Sequence, residues 1–187
     1  EKYHEDLIIC SACIGGEIPQ HILNGRMDKA EESVLWFKNL FGEDYYLEIQ
    51  RHETHDPNAA QDVYPHQVTA NKAILELARK HNIKVIATND VHFVNAEDAE
   101  AHDRLICLST GKDLDDPNRM RYTKQEWMKT TAEMNTIFSD IPEALSNTLE
   151  IADKVEFYSI DHGPIMPTFA IPEDFGTEEE YRQKFTE

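Results

Sequence analysis

Apolar residues along this chain come in two textures, short continuous runs and longer stretches in which they recur every three or four positions. The runs "LIICSAC" (7–13), "YYLEIQ" (45–50) and "KVIATND" (84–90) have the length of buried strands. Between them, "IPQHILNG" predicts a short helix that stops at Gly25. "DKAEESVLWFKNLFG" places Ala30, Val34, Phe37 and Phe41 on one helical face and ends at Gly42. A longer helix over 64–81 carries Val68, Ile74, Leu75, Leu77 and Ala78. Strand, helix, strand, helix, strand at this spacing implies a parallel sheet with right-handed crossovers.

Beyond Phe93 the texture is helical. "NAEDAEAHDRLICLSTG" sets Ala99, His102, Leu105, Ile106 and Ser109 around one helix. "TKQEWMK", "TAEMNTIFSD" and "IPEALSNTLEIADKV" predict three shorter helices, each opened by a capping residue or an early proline. The stretch 156–175, with three prolines, reads as an extended connector, and "GTEEEYRQKF" opens a last helix.

Where the runs stop, polar residues gather. The first ends at Cys13, the second at Glu48 and Gln50, the third at Asp90 and His92. Ligands of parallel α/β proteins collect at the carboxyl ends of their strands. In an extended chain, residues two apart share a face, so alternation puts Asp90 and His92 side by side. A carboxylate beside an imidazole suits a divalent metal or a proton transfer. The same residues also fit a plain turn, with Asp90 as a helix cap and His92 in solvent.

Composition narrows the partners. The 187 residues include 18 Lys and Arg against 36 Asp and Glu, a formal charge of −18, which repels a phosphate backbone and an anionic membrane alike. No apolar run approaches the ~20 residues of a membrane span. The charged opening "EKYHEDLIIC" lacks both a leader pattern and an initiator Met, as expected of a segment of a longer chain. Cys10, Cys13 and Cys107 make no disulfide framework and fit the cytoplasm. Cys10 and Cys13, three apart on a strand, would face opposite sides, which disfavours a zinc knuckle.

The residues also carry a resemblance. "LIICSACIGGEIPQHILNGRMDKAEESVLWFKNLFGEDYYLEIQRH", "VIATNDVHFVNAEDAEAHDRLICLSTGK" and "FSDIPEALSNTLEIADK" resemble the PHP (polymerase and histidinol phosphatase) domain of bacterial DNA polymerase III alpha subunits. "PIMPTFAIPEDFGTEEEYRQKF" is similar to that family's join between PHP domain and palm. The resemblance implies a partial, distorted (βα) barrel with parallel strands and a helical C-terminal region. It divides the chain into a PHP portion, 1–157, and a connector entering the palm, 158–187. The family's metal ligands begin with motifs that have no counterpart here and close with a Cys and an Asp-x-His, which fall on Cys13, Asp90 and His92. The implied cofactor is a divalent metal, zinc or manganese, held incompletely by this chain, with magnesium at the parent's polymerase site.

The function so implied is DNA-directed DNA synthesis by the parent, the PHP portion adding a metal site for phosphoesterase or 3′–5′ exonuclease chemistry. None of the polymerase's catalytic residues is expected here, so the segment alone should be inactive. The implied partners are DNA and other replicase subunits, reached through the parent; self-association through the cut edge of the sheet is a further expectation. A stand-alone PHP phosphoesterase and a metal-free scaffold are the two rival readings. Glu17 reads as a capping or orienting residue and His102 as a core histidine. His52 and His55 read as loop residues with at most an incidental metal contact, and Trp36 and Phe37 as core aromatics.

Overall fold

The computed structural model describes residues 2–167, 174 and 176–184. The chain divides into two compact units, Glu1–Val155 and Glu156–Glu187.

The first unit is built on a parallel sheet of three strands in the order β1 (Ile9–Cys10), β2 (Tyr45–Ile49), β3 (Val85–Ala87). α1 (Glu17–Leu23) and α2 (Met27–Phe41) make the first crossover and α3 (Val63–His81) the second. The mixed α/β class and the parallel pairing are therefore as the pattern predicts. Central β2 is buried on both faces: Tyr45, Tyr46, Leu47 and Ile49 are all at most 2% exposed, as a parallel strand covered by helices must be. Its odd positions join Ile18, Ile22, Ala30, Val34, Ile74 and Leu77 in the main core. On the other face, the Tyr46 hydroxyl donates to Glu150 Oε1 (2.7 Å) on α6 (Pro142–Lys154). The Glu150 carboxyl also takes two bonds from Lys84, and these donors pull it down to about 2. Asn147 Nδ2 caps the Val85 carbonyl at the free edge of β3 (2.8 Å).

Both outer strands are shorter than their apolar runs. Asp6 (φ 60°) and Ala12 (φ 63°) occupy the left-handed region on either side of β1, and Asp90 (φ 44°) turns the chain soon after β3. Cys13, Asp90 and His92 thus lie beyond the strand ends, where alternation does not govern direction.

α3 differs from its expected face. Val68 is 51% exposed, whereas Gln67 and Asn71 are buried with Ala70, Ile74, Leu77 and Ala78. The two amides are internal brackets. Gln67 Oε1 accepts from the His52 amide (2.7 Å), and Asn71 Nδ2 donates to the Gln50 carbonyl (2.8 Å). They satisfy backbone that leaves the sheet after β2, so amides displace an aliphatic residue from the inner face.

α4 (Ala99–Thr110) buries Ala99, Ile106 and Cys107 but leaves Leu105 61% exposed. α5 (Thr131–Ile137) is a helix as predicted, but its cap is Thr130, one residue before the expected opening, in a capping box with Glu133. "TKQEWMK" is not a helix. Lys124 has φ 65°, and Thr123 Oγ1 both accepts from the Gln125 amide (3.1 Å) and donates to Glu126 Oε1 (2.6 Å). This local closure competes with helix formation, and Trp127 instead bridges Phe93 in parallel. Trp36 is likewise no core residue: it is 48% exposed, with Phe37 edge-on against it.

In the second unit, 156–167 forms no helix or strand and is exposed, and α7 (Glu178–Gln183) starts at a Thr177–Glu180 capping box. The rest of the expected connector and of the last helix lies outside the described residues. Among the described residues, no helix is long and apolar enough to cross a membrane.

Candidate metal centre

The loop after β3 brings Asp90 and His92 together, though not by alternation. With Asp90 in the left-handed region, its Oδ1 comes 3.4 Å from His92 Nε2. Two donors on one tetrahedral ion with bonds of about 2.0–2.2 Å stand about 3.3–3.6 Å apart, so this pair fits two corners of such a site. Both side chains are about one-third exposed, within reach of an incoming ion.

Around the pair stands a ring of aromatic and imidazole groups. The His92 ring centroid lies 4.7 Å from Tyr122 and 5.6 Å from His102, and His102 also meets Phe93 at 5.1 Å. His102 is thus beside the candidate site rather than in the main core. Burial, then the neighbouring His92, holds its pKa below the ordinary value. Burial raises the Tyr122 hydroxyl, and the neighbouring Asp90 and Glu126 raise it further.

Cys13 follows Ala12 in a tight turn, its carbonyl accepting from the Gly16 amide (2.8 Å). A Cβ on Gly16 would lie 2.5 Å from the Ser11 carbonyl oxygen, so the turn admits no side chain there. Glu17, the first residue of α1, accepts from Ser33 Oγ (2.5 Å), which is an orienting contact. Cys10 is half-buried; burial, with Glu48 adding to it, pushes its thiol up to about 11 and keeps it protonated. Glu48 itself accepts from Gln50 Nε2 (3.0 Å) and from Thr88 Oγ1.

Two residues matter here that their sequence surroundings undervalue. His52, read as a loop residue, is 2% exposed. Its Nε2 meets the Asn89 carbonyl (3.1 Å), which can only accept, so Nε2 carries the proton. Nδ1 then accepts from Gln67 Nε2 (3.1 Å). The ring is neutral, its pKa lowered by burial against the opposing pull of Glu126. Glu126, in the segment expected to be a helix, is 2% exposed and accepts from the Thr123 amide (3.0 Å) and hydroxyl; its Oε2 has no partner among the described residues. The usable signal was the isolated "HETH" and "QEW" polarity, but nothing local says which of those groups turns inward.

Among the described residues, no group of three or more His, Cys, Asp or Glu side chains is gathered closely enough to hold a metal ion. These residues offer a two-donor pair, not a complete coordination sphere.

Comparison with known proteins bears on the chain as a whole rather than on these residues. Residues 1–52 match the PHP domain, which the mixed α/β fold with its three-stranded parallel sheet fits. The whole chain aligns with the DNA polymerase III alpha subunit of Borreliella burgdorferi at 43% identity, spanning 16% of that protein. The corresponding protein of Pseudomonas aeruginosa is 37% identical over 95% of this chain and 14% of its own length. That of Thermus aquaticus is 35% identical over 99% of this chain and 15% of its own. Over its full length the chain is similar to DNA polymerase III alpha subunits, and it spans about one-sixth of the length of these relatives.

Proposed function

We propose that this chain is the later part of the PHP domain of a bacterial replicative DNA polymerase, with Cys13, Asp90 and His92 contributing to a divalent-metal site completed by residues outside it. The observation that carries the reading is the Asp90–His92 pair, set at 3.4 Å beyond a parallel strand. In this reading 1–157 is PHP domain, its three strands an arc of a distorted barrel, and 158–187 leads toward the palm. The parent works in the cytoplasm on DNA, as a nucleotidyltransferase beside other replicase subunits. Its polymerase site uses magnesium, while carboxylate, imidazole and thiolate here suit zinc or manganese. A metal at the PHP site would activate water for phosphoester hydrolysis. Among the described residues, no strand pairs with the outer edge of β1, which supports self-association of the separate segment through that edge.

Metal analysis of the full-length polymerase tests the site. Asp90→Asn and His92→Gln should each remove at least one equivalent of bound zinc or manganese; unchanged content would overturn the reading. One observation favours a second reading, a metal-free scaffold: no three ligands are gathered among the described residues. A wild-type polymerase purified without PHP-bound metal, and taking up none on titration, would establish it.

A further inference from the structure

The Asp90–His92 pair lies past the last ladder bond of the sheet, the Thr88 amide to the Ile49 carbonyl (3.1 Å). Something other than the sheet must hold it. Asn89, 7% exposed, donates through Nδ2 to two carbonyls of the facing segment, those of Gln125 (3.0 Å) and Trp127 (2.7 Å). Its own carbonyl accepts from His52 Nε2 (3.1 Å). On the other side of Asp90, the His92 amide donates to the Glu126 carbonyl (2.7 Å), and the Met128 amide donates to the Phe93 carbonyl (3.1 Å). The facing segment is itself closed by the Glu126 carboxylate on Thr123. Asp90 is therefore clamped from both flanks, and its left-handed backbone (φ 44°) is what the clamps impose.

We infer that Asn89, held by His52 and tied to the Gln125–Trp127 backbone, is the positioning residue that sets the Asp90–His92 pair at metal-binding separation. The inference rests on the proposed metal site and deepens it. Asn89 touches no metal in this role. It acts by fixing the main chain of its neighbour, and the donors it needs are two amide hydrogens that neither aspartate nor alanine supplies at that place. Outer groups of this kind typically change metal affinity by about 10–100-fold when removed.

The test is Zn²⁺ affinity of the full-length polymerase, measured by competition with a chromophoric chelator, together with the visible spectrum of the Co²⁺-substituted protein. Asn89→Ala should weaken Zn²⁺ binding by about 10–100-fold and shift the Co²⁺ bands. General loss of fold would lower band intensity without moving the bands. Should Asn89→Ala fail to fold, His52→Gln and His52→Leu replace it. Glutamine can still donate to the Asn89 carbonyl and should keep affinity within a few-fold, while leucine should lose it. Asp90→Asn is the control for the site itself. If Asp90→Asn abolishes binding while Asn89→Ala and His52→Leu bind Zn²⁺ as the wild type does with unmoved Co²⁺ bands, the positioning role is wrong and the metal site stands. If Asp90→Asn binds as the wild type does, the metal site is wrong and the inference falls with it.

Discussion

The ends of β1 and β3 solve one problem in two ways. Each presents a candidate ligand just past its strand, and each uses a non-glycine residue in the left-handed region, Ala12 before Cys13 and Asp90 itself. At β1 the turn is held by local backbone: the Gly16 amide reaches the Cys13 carbonyl and the chain runs straight into α1. At β3 the turn is held by remote side chains, with His52, Asn89 and the 125–127 backbone closing on it from distant parts of the chain. The difference shows in the product. The remotely clamped end has its two donors paired at 3.4 Å, while Cys13 completes no group of three with them. A local turn settles where a residue sits, and a remote clamp settles what it sits beside.

The largest expected effect strikes the β1 end. Gly16→Val puts a Cβ 2.5 Å from one carbonyl oxygen and 3.1 Å from another, and backbone cannot yield as a side chain does. It should destabilise by about 3 kcal/mol, read by urea denaturation. A cost below about 1 kcal/mol would show that this turn is less tightly set than its geometry indicates.

Asn89→Ala is the matching cut at the β3 end. It leaves two carbonyls of the facing segment without their donor and should cost about 2 kcal/mol, within the range for unsatisfied buried polar groups. Amide exchange at His92 and Met128 should accelerate while β2 stays protected. If both regions exchange alike, the clamp is not a local device.

The third prediction concerns pH at β1. Folding raises the Cys10 thiol from 9.0 to about 11, so the folded chain keeps this proton longer than the unfolded one. The stabilisation is complete below about pH 9 and is lost as pH rises through 11. Because the residue is half-exposed, the loss should be only about 1 kcal/mol, less than the full shift converts to. Iodoacetamide at pH 8 should therefore label Cys10 far more slowly in the folded than in the unfolded chain. Equal rates would place the thiol in open solvent.

Smallest is the relief of strain. Alanine at φ 63° costs about 1 kcal/mol, partly offset by the greater freedom of glycine when unfolded, so Ala12→Gly should stabilise by about 0.5 kcal/mol. Asp90→Gly should gain less, since aspartate tolerates this region better. The reverse order would mean that the β3 clamps strain Asp90 more than the β1 turn strains Ala12.

Much of the frame was legible from residue pattern. α2 ends at Gly42, whose positive φ of 57° suits glycine, and α6 opens at Pro142. The continuous apolar run of β2 announces a strand buried on both sides. Gln67 and Asn71 were not legible as core, because an amide on an inner helical face looks like a solvent residue until the backbone it serves is known. "TKQEWMK" looked helical because its capping threonine is real, but that threonine closes a turn on Glu126 instead. Asp90 and His92 were recognised as neighbours through a strand alternation that does not extend that far; a left-handed residue brings them together instead.

Elements with a local cause could be read from the residues alone: helix stops at glycine, caps at threonine and proline, the parallel order implied by strand–helix spacing, and which polar residues end the strands. Which of those polar residues meet depends on the closing of the fold. The contacts that clamp Asn89 join it to His52, 37 residues before it, and to Gln125 and Trp127, 36 and 38 residues after it, and bonds of that reach leave no periodic trace between their ends. Each bond was settled by the closing of β2, β3 and the 123–128 segment around one another, which took the backbone groups of these segments out of water and left them to pair with protein donors and acceptors.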